Sequence, residues 1–268
     1  MAVGMWQKAG RSGVARQLRG VLGIVSSPLL GLLLGLLLWW VLTSPLLHPG
    51  AIVGDFSPEK SLTTILKLLG DGTLEPHIGA SLRRVVIGLA TAALIGIPVG
   101  IALGLWRPLE QGTSILFQFV RMVSPLSWMP LAVMAFGIGD APVYFLLTVA
   151  AVWPVLLNAA AGVHSVDRRW LLLARSLCAT RWEVIGRVIL PAIGPHLLVG
   201  LRLAVGVIWI VLVPAEMLGV SSGLGYFILD TRDRLAYSEL MAAILTIGAI
   251  GYGLDAGLRS LNRLTHYS

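Results

Sequence analysis

Long apolar segments separated by charged connectors dominate the pattern of the chain. A helix that crosses a membrane needs about 20 mostly apolar residues. Segments of this kind cover about residues 28–47, 85–106, 113–136, 142–163, 193–218 and 235–257. The pattern therefore predicts an all-α, polytopic membrane protein with about six transmembrane helices. Its expected organisation is a cytoplasmic N-terminal segment at 1–27, a single transmembrane domain at 28–264 and a short tail at 265–268.

Composition agrees with lipid as the main solvent. Of the 268 residues, 56% are hydrophobic and 12% are charged, whereas an average soluble domain carries roughly 25% charged residues. The net charge of +7 is explained by basic residues that flank the spans on the cytoplasmic side, so nucleic acid is not an expected partner. With Cys178 as the single cysteine and no metal-ligand spacing among the histidines, neither a disulfide within the chain nor a metal site is expected.

The distribution of basic residues predicts the orientation of the spans. The N-terminal segment carries Lys8, Arg11, Arg16 and Arg19 without an acidic residue. The connector at 164–191 carries five basic and two acidic residues. Basic connectors stay in the cytoplasm, so both termini and this connector are expected inside. The uncharged run from Gly20 to Gly54 is too long for a signal peptide and is interpreted as an uncleaved first span.

Two features of the second span stand out. Arg83 and Arg84 would lie at its outer end, where they are expected to snorkel to the interface or to pair with Glu75. Small residues recur at every fourth position, which places them on one face of the helix; these are Gly88, Ala92, Gly96, Gly100 and Gly104. Such a face predicts close packing against another helix, and Pro98 is expected to add a kink.

The connector at 164–191 predicts two short amphipathic helices. Ser165 is expected to cap the first, whereas Thr180 and Glu183 have the spacing of a capping box for the second. Pro191 is expected to end the second helix, because the residue before a proline avoids the helical region. Such an elbow could dock a soluble partner or lie on the lipid surface, and the pattern alone favours neither.

Charged residues inside membrane spans are costly, so they are either paired or functional. Arg121, Arg202 and Glu216 fall within predicted spans, and for each we keep both a structural pair and a pathway role as alternatives. The third span is also broken by Pro125 and Pro130. Irregular backbone at membrane depth is tolerated where it lines a cavity or is buried in protein. The predicted translocation pathway therefore comprises Arg121, Ser124, Ser127, Trp128, Met129, Arg202 and Glu216, the alternative at the break being a simple proline kink.

The connector also resembles a known motif. The cytoplasmic loop of binding-protein-dependent ABC importer permeases has the pattern E-A-A-x3-G-x9-I-x-L-P. Ala174, Leu190 and Pro191 match it, and Val188 replaces the isoleucine. Leu172, Leu173 and Cys178 stand at the positions of the Glu, the first Ala and the Gly. Because Cys tolerates positive φ poorly, either the turn at Cys178 differs or its strain is absorbed.

Further fragments are similar to the branch of this family that imports nitrate, bicarbonate, taurine and alkanesulfonates. They lie at 95–100, 104–106, 121–131, 136–139, 200–204, 215–218 and 223–226. The resemblance implies a type I importer permease of the MetI-like fold in the bacterial cytoplasmic (inner) membrane. It also implies a pathway for a small anion of this class, with another small organic nutrient as the alternative.

The resemblance further implies partners. These are a second permease subunit, expected to be an identical copy, two cytoplasmic ATPase subunits and an extracytoplasmic solute-binding protein. ATP and Mg²⁺ are expected on the ATPase subunits, and no cofactor is expected on this chain, whose sequence lacks a Walker A pattern. The residues expected to couple the ATPase are Ala174, Leu177, Cys178, Ala179, Thr180, Arg181, Trp182, Glu183, Ile185 and Pro191, with Trp182 as the anchor.

Two other classes of protein are less compatible with the sequence. A secondary transporter often shows internal repeats with paired broken helices, whereas only one span is strongly broken here. An intramembrane enzyme needs a catalytic pattern such as H-E-x-x-H or G-x-S-x-G, and neither lies inside a predicted span. A non-enzymatic permease subunit is therefore the expected function.

Overall fold

The computed structural model describes residues 28–44 and 52–265, and every described regular element is helical. The α-helices are α1 (Pro28–Thr43), α2 (Pro58–Gly70), α3 (Leu74–Leu105), α4 (Arg107–Met122), α5 (Met129–Phe136), α6 (Asp140–Ser165), α7 (Arg168–Ser176), α8 (Arg181–Val184), α9 (Leu190–Ala192), α10 (Gly194–Gly219), α11 (Leu224–Asp233) and α12 (Tyr237–Thr265). Two 3-10 segments, Ile52–Phe56 and Pro125–Trp128, and a π-helical segment, Ile185–Ile189, complete the set.

Four of the described helices are long and apolar enough to cross a membrane: α3, α6, α10 and the Tyr237–Ser260 part of α12. Helix α4 and the segment Pro125–Phe136 are apolar enough to cross a membrane together but are bent by 87° at their junction, so they form either a broken fifth span or a re-entrant loop. In the predicted first span, α1 is a shorter apolar helix, and residues 45–47 lie outside the described residues. The predicted N-terminal segment and residues 266–268 of the tail, and with them the predicted location of both termini, also lie outside.

Helices α3 and α6 form the centre of the bundle. A Cβ atom added at Gly88 would lie 2.7 Å from Cβ of Leu147, and one at Gly100 would lie 2.6 Å from Cβ of Ala159. The small-residue face predicted for the second span is thus confirmed as a close helix contact. The contacting pairs advance in the same direction along both helices, from Gly88–Leu147 to Gly104–Val163, so α3 and α6 run parallel.

Helix α10 packs antiparallel against the other side of α6. A Cβ at Gly162 would lie 3.0 Å from Cβ of His196, whereas one at Gly200 would lie 2.8 Å from Cβ of Asn158. The buried core between these helices is aliphatic and includes Leu147, Ala151, Val155, Ala204, Ile208 and Leu212. Because α6 and α10 run in opposite directions, the 164–191 connector between them lies at one end of the bundle. Helices α2 and α11, which precede α3 and follow α10, lie at the other end.

The connectors at the end of the bundle opposite to residues 164–191 contain more helix than the sequence pattern predicted. Helix α3 begins at Leu74 instead of near residue 85, and α2 and α11 were not predicted as elements. These helices share a second apolar cluster with α12, formed by Leu68, Leu74, Leu224, Phe227, Ala242 and Ala243. The cluster fixes the outer ends of the spans to one another.

Candidate functional site: the cytoplasmic loop and the membrane pathway

The connector between α6 and α10 contains two short helices, as predicted, but the cap of the first was assigned wrongly. The hydroxyl of Ser165 donates to the carbonyl of Gly162 at 2.7 Å, inside the last turn of α6. Asp167 caps α7 instead, since its carboxylate accepts the N–H of Arg169 at 2.8 Å. Because α6 extends through Ser165, the first residue free to cap the next helix is Asp167.

The turn between α7 and α8 has the glycine-type geometry despite its cysteine. Cys178 has φ +53°. The N–H of Ala179 donates to the carbonyl of Ala174 at 3.0 Å, and the N–H of Cys178 donates to Arg175 at 3.0 Å. This is the bonding of a Schellman motif, in which the left-handed residue is usually glycine. The turn is therefore the same as with glycine, and Cys178 adopts the left-handed conformation at a cost of about 1 kcal/mol.

The capping box predicted for the second loop helix is confirmed. The N–H of Glu183 donates to the hydroxyl of Thr180 at 3.4 Å, and the Glu183 carboxylate accepts the Thr180 N–H at 2.9 Å. The backbone N–H of Thr180, followed by its hydroxyl, holds the pKa of Glu183 below the usual range of a carboxyl group. The carboxylate therefore stays ionised at neutral pH and keeps the first turn of α8 in place.

Pro191 does not end the second loop helix, contrary to the sequence prediction. Leu190, the residue before it, is helical with φ −58° and ψ −45°, and its N–H donates to Ile185. The π-helical segment Ile185–Ile189 leads through α9 to α10. A proline ring clashes with the carbonyl four residues earlier in a regular α-helix. The wider π turn, which is frequent at functional sites, lets the backbone continue through Pro191.

The loop has one face fixed to the bundle and one face open. Ile185 packs in an apolar cluster with Ile101, Val163, Ile189 and Ile193, and Ala174 is buried. By contrast, Trp182 is 82% exposed and Leu177 is 73% exposed. The other residues assigned to coupling, which are Cys178, Thr180, Arg181, Glu183 and Pro191, are exposed, and Ala179 is half-buried. The elbow thus exposes the Leu177 side chain at the end of α7 and the Trp182 indole on α8, while its other face is fixed to the bundle.

At the break in the third predicted span, the assigned pathway residues lie in different environments. Ser124 and Ser127 are exposed, and Trp128 is half-buried with its indole N–H enclosed and without a hydrogen-bond partner. Met129 is 6% exposed and belongs to the core cluster. The 87° bend confirms that the segment is irregular at this point. Burial of Met129 favours packing for that side chain, whereas the serines face an open surface of the chain.

Arg121 ends α4 beside a crevice between α4 and α6. The crevice has a volume of about 310 Å³ and is lined by Arg121, Gln118, Ser114, Phe117 and Trp153, among others. Among the residues that the structure describes, no carboxylate lies within ion-pair distance of Arg121. The side chain is exposed, so this guanidinium is open to a ligand.

A different arrangement surrounds Arg84, and it corrects the expectation for the outer end of the second span. Arg84 is 1% exposed and lies within α3. Its Nη1 donates to Glu216 at 2.6 Å, and its Nη2 donates to Asp140 at 2.6 Å. Arg83 also pairs with Asp140. The partners thus come from α10 and α6, and neither snorkelling nor pairing with Glu75 describes Arg84.

Glu216 is completely buried at the centre of this outer charge cluster, which comprises Arg84, Asp140, Glu216 and Ser81. Its carboxylate accepts the Ser81 hydroxyl at 2.8 Å and the Gly225 N–H at 2.9 Å. Arg84 also donates to the carbonyl of Ser222 at 2.7 Å. The cluster therefore joins α3, α6 and α10 to the loop before α11, and for Glu216 it favours the structural alternative.

Arg202 also has a carboxylate partner. Its Nε donates to Asp255 at 2.9 Å, and Asp255 contacts Arg259 at 3.1 Å. This pair connects α10 with α12 and favours the structural alternative for Arg202.

Residues 219–223 read G-V-S-S-G, which matches the G-x-S-x-G pattern of the nucleophile elbow in hydrolases. That motif requires a strand before a helix, whereas this loop joins two helices.

Comparison with known proteins identifies the family. The sequence profile described as "Binding-protein-dependent transport system inner membrane component" matches residues 96–264, which include α6, the 164–191 connector and α10. The chain belongs to this family. It is therefore a membrane permease component of a transport system, located in the inner membrane, and the family is one of transporters and not of enzymes.

Relatives of this inner membrane component include permeases with named substrates. The chain is 38% identical over 238 residues to the taurine transport system permease protein TauC of Escherichia coli, covering 85% of this chain and 84% of that protein. It is 36% identical over 245 residues to the bicarbonate transport system permease protein CmpB of Synechococcus elongatus, covering 88% and 87%. The nitrate import permease protein NrtB of Leptolyngbya laminosa is 36% identical over 180 residues, covering 67% and 64%.

Solved structures support the same fold. Two inward-facing structures of the MetNI methionine ABC transporter align with TM-scores of 0.57 and 0.60, at 17% and 16% identity. The alignments cover 69% and 71% of this permease component and 92% and 95% of the matched chains. The all-α, MetI-like fold expected from the sequence is thus confirmed.

Proposed function

We propose that this permease component forms the membrane pathway of an ATP-driven importer for a small oxyanion. In this proposal its cytoplasmic loop transmits movement between the pathway and a separate ATPase. The observation that carries the coupling role is Trp182, 82% exposed on a capped helix whose other side is fixed to the bundle. ATP and Mg²⁺ would bind two ATPase subunits, and a solute-binding protein would deliver the substrate from outside.

The anchoring of the loop supports a mechanical role. Ile185 and Ile189 pack against Val163 of α6 and Ile193 next to α10. A force applied to α8 therefore reaches two spans at once, without an intervening flexible linker. A buried aromatic side chain commonly dominates a small interface, so Trp182 and Leu177 fit a groove on the ATPase. Arg181 would contact its rim and affect association more than affinity.

The substrate class rests on the relatives and on one charge. Taurine, bicarbonate and nitrate, named for three relatives, share a negatively charged group of oxygens. Arg121 supplies a cation beside the break in the third span, and no carboxylate of the described residues lies within ion-pair distance of it, since Glu110 in the same crevice contacts His164. Such a charge attracts an anion and disfavours a cation.

A second copy of the chain would complete the pathway. Large apolar side chains on α4 and α5 are highly exposed, among them Ile115, Phe119, Met122 and Met134. An apolar face of this size on the segment that also carries Ser124 and Ser127 fits a homodimer in which the two broken spans meet.

The coupling role is tested with Trp182→Ala in the complete transporter. Loss of an interface anchor costs on the order of 2 kcal/mol or more, so the variant should lose ATPase subunits on purification, or retain them with ATP hydrolysis uncoupled from uptake. Trp106→Ala is the matched control, because Trp106 is 63% exposed at the inner end of α3, outside the loop. A Trp182→Ala complex with stoichiometric ATPase and full uptake would instead identify α8 as a lipid-surface helix.

A further inference from the structure

Helix α4 has two faces of opposite character. Gln111, Ser114, Gln118 and Arg121 recur at intervals of three and four residues and share one face. Leu116 lies on the opposite side of the helix and is 57% exposed, and Phe119 beside it is 71% exposed. A membrane helix surrounded by lipid is apolar on all sides. The polar face of α4 therefore lies against something other than lipid.

The contacts between α4 and α6 give the depth of this polar face. Nε2 of His164, at the inner end of α6, lies 3.1 Å from Oε1 of Glu110. Seven residues further along α4, the Phe117 ring contacts the Trp153 ring with their centroids 5.6 Å apart. Trp153 lies at the middle of α6. Arg121 follows Phe117 by about one helical turn, so it lies close to the middle of the membrane.

Arg121 differs from the other arginines at membrane depth. Arg84 and Arg202 have carboxylate partners at 2.6 Å and 2.9 Å, whereas Arg121 has none among the described residues. An unpaired charge at this depth is costly and marks a site of function by default. The crevice beside it measures about 310 Å³, at the lower end of the usual range for ligand pockets and large enough for a small oxyanion.

From these observations we infer that the α4 crevice binds the transported oxyanion at mid-depth, with Arg121 as its cationic ligand and the Gln118 amide as a second donor. Phe117 and Trp153 form the apolar wall of the crevice. Ser114 donates to the Gln111 carbonyl at 2.9 Å. Glu110 lines the inner end of the same crevice, one turn before Ser114, and its carboxylate contacts His164 at 3.1 Å. The inference rests on the proposed function and adds to it the residues that select an anion.

Uptake of taurine, bicarbonate and nitrate tests the site in the reconstituted complex with its own binding protein. Arg121→Gln removes a charge-assisted hydrogen bond to the anion, so it should lower the uptake rate roughly 10- to 100-fold. Arg121→Lys should restore part of it, since the charge remains. Arg107→Gln, at the inner end of the same helix, should change uptake less than about twofold. Normal uptake by Arg121→Gln would overturn the inference.

A labelling experiment tests the site even where Arg121→Gln fails to assemble. In a chain carrying Cys178→Gly, Gln118→Cys should react about tenfold faster with an anionic methanethiosulfonate than with a cationic one, because Arg121 is one turn away. Nitrate, bicarbonate or taurine should slow the reaction. Leu116→Cys, on the opposite side of the helix, should show neither charge preference nor protection. Equal rates for both reagents at position 118, or no protection by any of the three anions, would contradict an anion site.

The two experiments separate failure of the site from failure of the proposed function. If the wild-type complex imports only a neutral or cationic solute, the anion importer is wrong, and lack of anion protection at position 118 would agree with that result. If the complex imports one of the anions and Gln118→Cys shows no charge preference, the importer stands and the site is wrong.

Discussion

Two regions of the bundle place an arginine inside the membrane and surround it differently. In the outer charge cluster, Arg84 is enclosed by the carboxylates of Glu216 and Asp140. In the α4 crevice, Arg121 faces an open volume and has no carboxylate partner in the described part of the chain. Identical side chains therefore lie in opposite environments: carboxylates enclose Arg84, whereas Arg121 faces an open crevice, and the neighbouring helices make the difference.

The backbone also differs between the two regions: it is continuous around Arg84 and broken near Arg121. Around Arg84, helices α3, α6 and α10 are continuous and closely packed, and the loop before α11 is bonded to the cluster. Near Arg121, the span bends by 87° at two prolines. A closed charge cluster on rigid helices suits a part that must not move. A broken helix beside a crevice suits a part that changes during transport.

The largest expected effect is in the closed region. Removing one partner from a buried ion pair typically costs 3–5 kcal/mol, so Glu216→Gln should destabilise the purified protein by about 3 kcal/mol. Its amide nitrogen would also meet a donor, either Ser81 or the Gly225 N–H. Thermal unfolding in detergent measures the change. Asp255→Asn, in a solvent-accessible pair, should leave the stability nearly unchanged, because exposed ion pairs contribute little. Equal effects of the two variants would remove the distinction between closed and open charge pairs.

Close packing of α3 on α6 gives the next largest effect. Gly100→Val should lower the free energy of unfolding by about 1–3 kcal/mol, because the added carbons overlap the backbone at Leu156 and Cβ of Ala159. Gly79→Ala is the control on the same helix, since a Cβ there meets nothing within 4 Å. It should be neutral or slightly stabilising. A Gly100→Val protein as stable as the Gly79→Ala protein would show that the two helices are not tightly packed.

Features with a local or periodic cause could be predicted from the sequence. The small residues of α3 repeat every four positions, so their common face follows from helix geometry. The Thr180–Glu183 capping box depends on a spacing of three residues. The partners of Arg84 could not be predicted, because Asp140 and Glu216 are distant in sequence and meet only in the folded bundle. The π-helical segment was missed because sequence rules describe a proline in a regular helix.

The smallest predicted effect concerns the turn of the cytoplasmic loop. Cys178→Gly should relieve about 1 kcal/mol of strain, since glycine adopts the φ of +53° without a steric penalty. Hydrogen exchange at Ala179 and Thr180 should slow about fivefold if these amides exchange by local opening. Cys178→Ala is the matched control and should leave exchange unchanged, because alanine carries the same penalty. Equal exchange in the glycine and alanine variants would show that the turn is not strained.

ATP-driven uptake by the complete complex tests the central claim most directly. The chain is reconstituted in liposomes with its ATPase and solute-binding protein, and labelled taurine, bicarbonate and nitrate are supplied on the outer side. The account predicts uptake of at least one of these anions that requires ATP and the binding protein and is lost in Trp182→Ala. Uptake driven by an ion gradient without the ATPase, or import of none of the three anions, would contradict it.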